Sequence, residues 1–397
     1  MTERNNHSLS ESEKIFIKTH QNDDVVQLLL QAQKFPTLDV KALVEQIKAR
    51  QKAKIKLPEW TENENIVFPK MLSVEQCSSE ITAKYKARLV QGESMIDLTG
   101  GMGVDVAYMS RNFEKAIYIE QNADLVTITQ RNFQELGIHN VTFINGNSID
   151  AFSETKEHFS WIYLDPHRRD DVGSKVVKLQ DCEPNILKIK DLLFYKTDNI
   201  LLKASPMLDI DSAVNELGNV SKIYVVAVDN EVKEVLFHLT KIQTEPIIHA
   251  VNLSSKNNST QTLSFTKLEE KNTSIQITSP KQYLYEPNAA ILKAGAFRFT
   301  AQYFDLQKVA PHSHLYTADK LVTNFQGRIF KIIAVCKLDK KEIAKHLTED
   351  KANISTRNFP LTVKQIREKL KLSDGGNEYL FATTDAQNQK IVIVCRK

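Results

Sequence analysis

Glycine is scarce in this chain, with 12 in 397 residues, well below the ~7% usual for proteins. Cysteine is scarcer. Cys77, Cys182, Cys336 and Cys395 lie far apart with no CxxC pair, which argues against a zinc site and against a disulfide framework. Free thiols fit a reducing compartment. No apolar run approaches the ~18 residues of a membrane span. The opening MTERNNHSLSESEK has no apolar core of the kind a secretory signal needs, so a cytoplasmic location is expected, with no membrane and no metal. Neither sign of charge dominates: 52 Lys and Arg face 49 Asp and Glu, for a net charge of +3. That permits a phosphate-rich partner without demanding one. A hydrophobic content of 42% is ordinary for a globular chain, and the length implies two or three domains.

The pattern divides the chain into three. Residues 1–90 read as a helical domain: KALVEQIKARQKAKIKL begins with Leu43, Val44 and Ile47 on one helix face, and SVEQCSSEITAKYKARLV offers serine caps. Between them LPEWTENENIVFPKML, with two prolines, reads as a loop. Residues 91–280 alternate β-type runs (MIDLTG, AIYIEQN, VTFINGN, WIYLDPH, NILLKASP, KIYVVAV, PIIHAVNL) with longer amphipathic stretches. That is the signature of an α/β fold with a mostly parallel, Rossmann-like sheet and an antiparallel pair near its end. Its closing stretch, 254–280, reads as a hairpin or a connection. Residues 281–397 form a small α+β domain, in which YLYEPNAAILKAG implies a helix entered at Pro287. No internal repeat is evident.

Against the general scarcity, Gly100, Gly101 and Gly103 fall together in MIDLTGGMGVD, after a strand and before a helix-compatible stretch. Such a turn lets a ligand approach the main chain at the carboxyl end of the strand. Alone it admits any nucleotide-like molecule, or a purely structural tight turn. Glu120 ends the next strand, about 20 residues on, where a carboxylate can accept from ribose hydroxyls. A solvated loop acid is the plain alternative. After the third strand, Asn147, Ser148 and Asp150 offer polar contacts for an adenine edge, or simply a turn. After the fourth, Asp165 and Pro166 open DPHRRDD. A dinucleotide fingerprint would need glycine at 106, where valine stands.

Together these residues resemble the class I S-adenosylmethionine-dependent methyltransferases. Asp97, Gly101 and Gly103 match that superfamily's D-x-G-x-G-x-G motif, with Thr99 in place of its first glycine. Glu120 matches the ribose-binding acid, and Asp150 or Ser148 falls near the adenine-contacting position. Asp165 and Pro166 stand where many nucleic-acid methyltransferases carry D/N-P-P-Y, but His167 and Arg168 replace the last two residues. QCSSEITAKYKA, DLTGGMGVD, YLDPHRRD, LLKASPMLDI, YEPNAAILKAG and KANISTRNFP extend the resemblance, over nearly the whole chain, to a bacterial methyltransferase group with a C-terminal THUMP-like domain.

The resemblance implies S-adenosyl-L-methionine as cofactor and RNA, tRNA or rRNA, as partner. Cofactor contacts are expected from Asp97, Thr99, Gly100, Gly101, Gly103, Glu120, Asn147, Ser148, Asp150 and Asp165. Gln76, Ser79 and Thr82 form a second tier. Asp165, with Pro166, is the expected catalytic residue. His167, Arg168, Arg169, Lys203 and Ser205 are expected at the substrate, although Arg168 and Arg169 can equally pair with Asp170 and Asp171. Lys48, Arg50, Lys52, Lys54 and Lys56 recur at alternate positions, which spreads charge around a helix. Lys351, Asn353, Arg357, Asn358, Lys364, Arg367, Lys369 and Lys371 make a basic C-terminal stretch, with Phe359 available to stack. A methyltransferase for protein or small molecules, and an RNA-binding protein without turnover, stay open at this point.

Overall fold

The computed structural model describes residues 9–168 and 178–397, with Arg168 described by its main chain alone. The chain forms two compact units: Met1–Ser221 with Val235–Thr244, and Lys222–Glu234 with Glu245–Lys397. The division therefore falls within a hairpin rather than near residues 90 or 280.

In the first unit, α1 (Glu11–His20), α2 (Val25–Leu30), α3 (Val40–Lys56), α4 (Pro58–Glu62), α5 (Met71–Gln76) and α6 (Glu80–Ala87) come first. Ser10 and Glu13 make a capping box on α1, and Asp39 caps α3. Phe16, Ile17 and Leu28 pack against Val40, Leu43, Val44 and Ile47. Each such burial contributes roughly 1.5–3 kcal/mol. The stretch expected as a loop contains α4, because Pro58 takes the first helical position and Trp60 is buried.

The α/β part follows: β1 (Gly92–Asp97), α7 (Val104–Met109), β2 (Phe113–Glu120), α8 (Ala123–Glu135), β3 (Val141–Asn145), α9 (Ser148–Glu154), β4 (Trp161–Leu164), β5 (His167–Arg168), β6 (Cys182–Glu183), α10 (Ile186–Tyr195), β7 (Asn199–Ala204) and α11 (Ile210–Leu217). The chain then runs through β8 (Val220–Val228), most of which belongs to the second unit, and returns in β9 (Glu231–Thr240). The strands of this unit run in the order β3-β2-β1-β4-β7-β9. All neighbours are parallel except β9, which is antiparallel to β7. β1 thus lies inside the sheet, with Asp97 opposite both Tyr118 and Tyr163.

In the second unit, β8 pairs in parallel with β10 (Ile247–Leu253), which forms an antiparallel hairpin with β11 (Thr260–Thr266). After α12 (Lys267–Asn272) come β12 (Tyr283–Pro287), α13 (Ala289–Ala294), α14 (Arg298–Tyr303), β13 (Gln307–Lys308), β14 (Tyr316–Ala318), β15 (Gly327–Lys337), α15 (Lys340–Ala344), β16 (Asn353–Arg357), α16 (Val363–Leu370), β17 (Glu378–Thr384) and β18 (Lys390–Arg396). Among the described residues they form a sheet ordered β13-β14-β12-β15-β18-β17-β16. Pro287 closes β12 instead of opening a helix. Asn288 provides the cap, accepting from the Ile291 N–H.

No helix among the described residues is long and apolar enough to cross a membrane.

Candidate functional site

Parallel strands leave their carboxyl ends on one edge, and the loops that follow them build the site. The loops after β1, β2, β3 and β4 enclose a cavity of about 280 Å³ together with the segment Ser73–Ser78. Its wall includes Gln76, Asp97, Thr99, Gly100, Gly101, Gly103, Glu120, Ser148, Asp165 and His167.

The glycine turn is shaped from below. Tyr118 lies directly under Gly100, so a side chain there would sink into its ring, and its hydroxyl donates to the Gly101 carbonyl at 2.5 Å. Gly101 and Gly103 adopt left-handed φ values of +53° and +77°. Beside Gly101 the space is open, with only the Thr99 carbonyl at 3.7 Å from where a Cβ would stand. At Gly103 a Cβ would press on Thr129 and Phe133. The turn therefore needs glycine twice, for backbone and for space, and it leaves bare main chain facing the cavity.

Glu120 is fixed by main-chain donors. Its Oε2 accepts from the Gly101 N–H and its Oε1 from the Asn122 N–H, each at 2.9 Å. Thr99, which replaces the expected glycine, ties two strand ends together. Its hydroxyl contacts Asp97 Oδ1 at 3.2 Å and accepts from the Asp165 N–H at 2.7 Å. A glycine could not make this link. Lys203, from the end of β7, forms an ion pair with Asp165 Oδ2. His167 is held by the short β5–β6 ladder opposite Glu183.

Beneath the turn lies a buried polar network that sequence reasoning missed. Asp105 Oδ2 accepts from Ser78 Oγ at 2.7 Å and from the Tyr163 hydroxyl at 2.6 Å. Lys86, fully buried, approaches Asp105 Oδ1 at 3.1 Å and donates to Ser78 Oγ at 3.1 Å. Burial alone would raise the Asp105 pKa, but the Lys86 and Lys203 charges and these donors hold it below the usual carboxylate range. Asp97 behaves oppositely: burial, with the Asp105 and Asp165 charges, pushes it up to about 8 against the opposing Thr99 hydrogen bonds. Cys77 also lines the cavity, and burial pushes its thiol up to about 11.

Other expected residues stand elsewhere. Ser79 caps α6 and Thr82 is buried on it; the neighbouring Gln76, Cys77 and Ser78 reach the cavity instead. Asn147 caps α9, accepting from the Ile149 and Asp150 N–H groups, and Asp150 is exposed in the first turn of that helix. Ser205 accepts from the Met207 N–H within the turn after β7. Pro166 is not among the wall residues. Nothing is described of the Arg168 side chain, and Arg169 lies outside the described residues. Of the alternating cations on α3, two are committed to main chain. Arg50 donates to the carbonyls of Glu64 and Ile66, and Lys56 to those of Val74 and Glu75. Lys48, Lys52 and Lys54 are exposed. Phe359 packs on the core of the second unit.

A crystal structure of a candidate methyltransferase from Porphyromonas gingivalis W83 is 33% identical, covers 97% of both chains, and superposes with a TM-score of 0.87. This chain belongs to that methyltransferase family. In the methyltransferase, residues 54–200 match the family described as Conserved hypothetical protein 95. Residues 283–325 match a ferredoxin-like domain and residues 327–397 a THUMP domain-like family. Two curated relatives are named 23S rRNA (uracil(1939)-C(5))-methyltransferase RlmD. The one from Haemophilus parainfluenzae (strain T3T1) is 27% identical over 145 residues, covering 34% of this chain and 33% of that protein. The one from Pasteurella multocida (strain Pm70) is 26% identical over 152 residues, covering 35% of each. The chain thus matches about a third of the length of these curated relatives.

Proposed function

We propose that this methyltransferase uses S-adenosyl-L-methionine to methylate RNA. The observation that carries the cofactor reading is the pairing of bare main chain at Gly101 with a Glu120 carboxylate locked beside it. The RNA reading is supported by the rRNA-methylating relatives and by the THUMP-like match.

When bound, S-adenosylmethionine supplies an electrophilic methyl group on a sulfonium. Glu120 would accept from both ribose hydroxyls, Ser148 would face the adenine edge, and Asp97 with Thr99 and the glycine turn would hold the rest. Displacement at the methyl carbon requires the nucleophile in line at ~3 Å, and positioning of that kind supplies ~7–11 kcal/mol. Asp165 holds the substrate nucleophile by hydrogen bond, with Lys203 fixing its carboxylate. His167 and Lys203 flank the incoming nucleotide. The reading is direct transfer from the sulfonium to a nucleophilic atom of the substrate. Residues 281–397 act as the substrate-holding domain, and such a protein works in the cytosol.

Two measurements test this. Calorimetric titration with S-adenosylhomocysteine is expected to show one site, weakened in Glu120→Ala. Incubation with tritiated donor and separate pools of RNA, protein and metabolites is expected to label RNA. Label in protein or metabolites alone rules out the RNA reading, and binding without label in any pool rules out turnover.

A further inference from the structure

Two stretches outside the cavity, YEPNAAILKAG and KANISTRNFP, meet in the second unit. Glu286 on β12 is 3% exposed. Its Oε1 accepts from Arg357 Nη2 at 2.7 Å and its Oε2 from Arg328 Nε at 2.6 Å. Arg328 is its register partner on β15, but Arg357 ends β16, four places away in the strand order. A flat sheet would separate those strands by about 19 Å, beyond the reach of both side chains. The sheet must therefore curl, and the curl gathers charge.

One carboxylate faces two guanidiniums there, and Arg357 also lies within electrostatic reach of His314. His314 has Lys308, His312 and Arg357 near enough to depress its protonation; together with burial, the first cause, they bring its pKa down to about 4. The His314 ring stacks on Phe297 with centroids 3.7 Å apart, and its main chain is left-handed at φ 52°. Asn358, next to Arg357, is left-handed too. Such backbone is costly and persists where surroundings enforce it. Arg357 Nε and His314 Nδ1 are buried with no hydrogen-bond partner among the described residues. Leaving a buried donor unmet costs about 1–3 kcal/mol. Meanwhile the Arg328 and Arg357 side chains stay 38% and 35% exposed, so the cluster is open to a ligand.

We propose that Arg357 and Arg328, both held by Glu286, form a second anion site that holds a backbone phosphate of the RNA substrate. This rests on the RNA reading above. Phosphate oxygens are pure acceptors and suit a forked guanidinium. Glu286 sets the angle of both forks.

The test is anisotropy titration of a labelled RNA hairpin with the full-length protein over a range of salt. Arg357→Gln and Arg328→Gln each keep a donor for Glu286 and leave the other guanidinium paired, so the second variant guards against misfolding of the first. Each is expected to weaken RNA binding about 5- to 10-fold and to lower the salt slope by about 1. S-adenosylhomocysteine affinity should not change. Lys256→Glu, an exposed control in the same unit, should stay within about 2-fold because its field is screened. Unchanged RNA affinity and slope in both variants overturns the site while leaving the RNA reading intact. Competition by inorganic phosphate that never alters RNA affinity overturns it as an RNA site. A wild-type protein with no RNA affinity overturns both.

Discussion

Glu120 has its two carboxylate oxygens fixed by the Gly101 and Asn122 N–H groups before any ligand arrives. Preorganisation of this kind lowers the cost of binding. Glu120→Gln keeps one acceptor and loses the charge, so S-adenosylhomocysteine affinity is expected to fall about 10-fold by calorimetry, consistent with hydrogen bonds to charged groups. Asp97 carries a pH prediction. Its pKa is about 8 in the fold against 3.8 in a free chain. Between those values the folded chain keeps a proton that the unfolded chain has released. Its stabilising contribution is therefore full below about 4 and is lost as pH rises through 8. Asp97→Asn mimics the protonated form, and in thermal melts it should gain on wild type from pH 5 to pH 9. A constant difference across that range would contradict the assignment. Asp165→Ala is expected to abolish turnover while cofactor affinity stays within about 3-fold, since its side chain meets Lys203 rather than the glycine turn.

At the level of elements, α6 and α7 are joined through Lys86 and Asp105, both buried. Removing one partner of a buried ion pair leaves an uncompensated charge, at a cost of about 3–5 kcal/mol. Lys86→Met should lose that much in urea melts, and adding Asp105→Asn should recover part of it. The sequence concealed this pair for a physical reason. KYKARLV has the look of an exposed basic helix, and only a tertiary partner 19 residues on turns Lys86 inward. The alternating strands were legible, because β1, β2, β4 and β7 are short apolar runs whose ends carry the site. Helix entries were less legible. Pro58 starts a short helix whose neighbours read as loop, while Pro287 ends a strand where its own neighbours suggested a helix start. Proline fixes one dihedral angle and permits both outcomes. Among site residues, those at strand tips were found from spacing, whereas Ser78 and Tyr163 are placed by packing that no local pattern encodes.

Across the whole molecule, the two compact units hold different chemistry. The first holds the cavity with its glycine turn, and the second holds the Glu286 cluster. Net charge is only +3, so RNA affinity should come from a few placed contacts and fall moderately with salt. The central claim is methyl transfer from S-adenosylmethionine to RNA. Its most direct test is nucleoside mass spectrometry of RNA incubated with the protein and a donor carrying a trideuterated methyl group, with Asp165→Ala as control. Wild type is expected to give one nucleoside bearing the heavy methyl group, absent with the variant. RNA free of heavy methyl under conditions where the cofactor binds would contradict it.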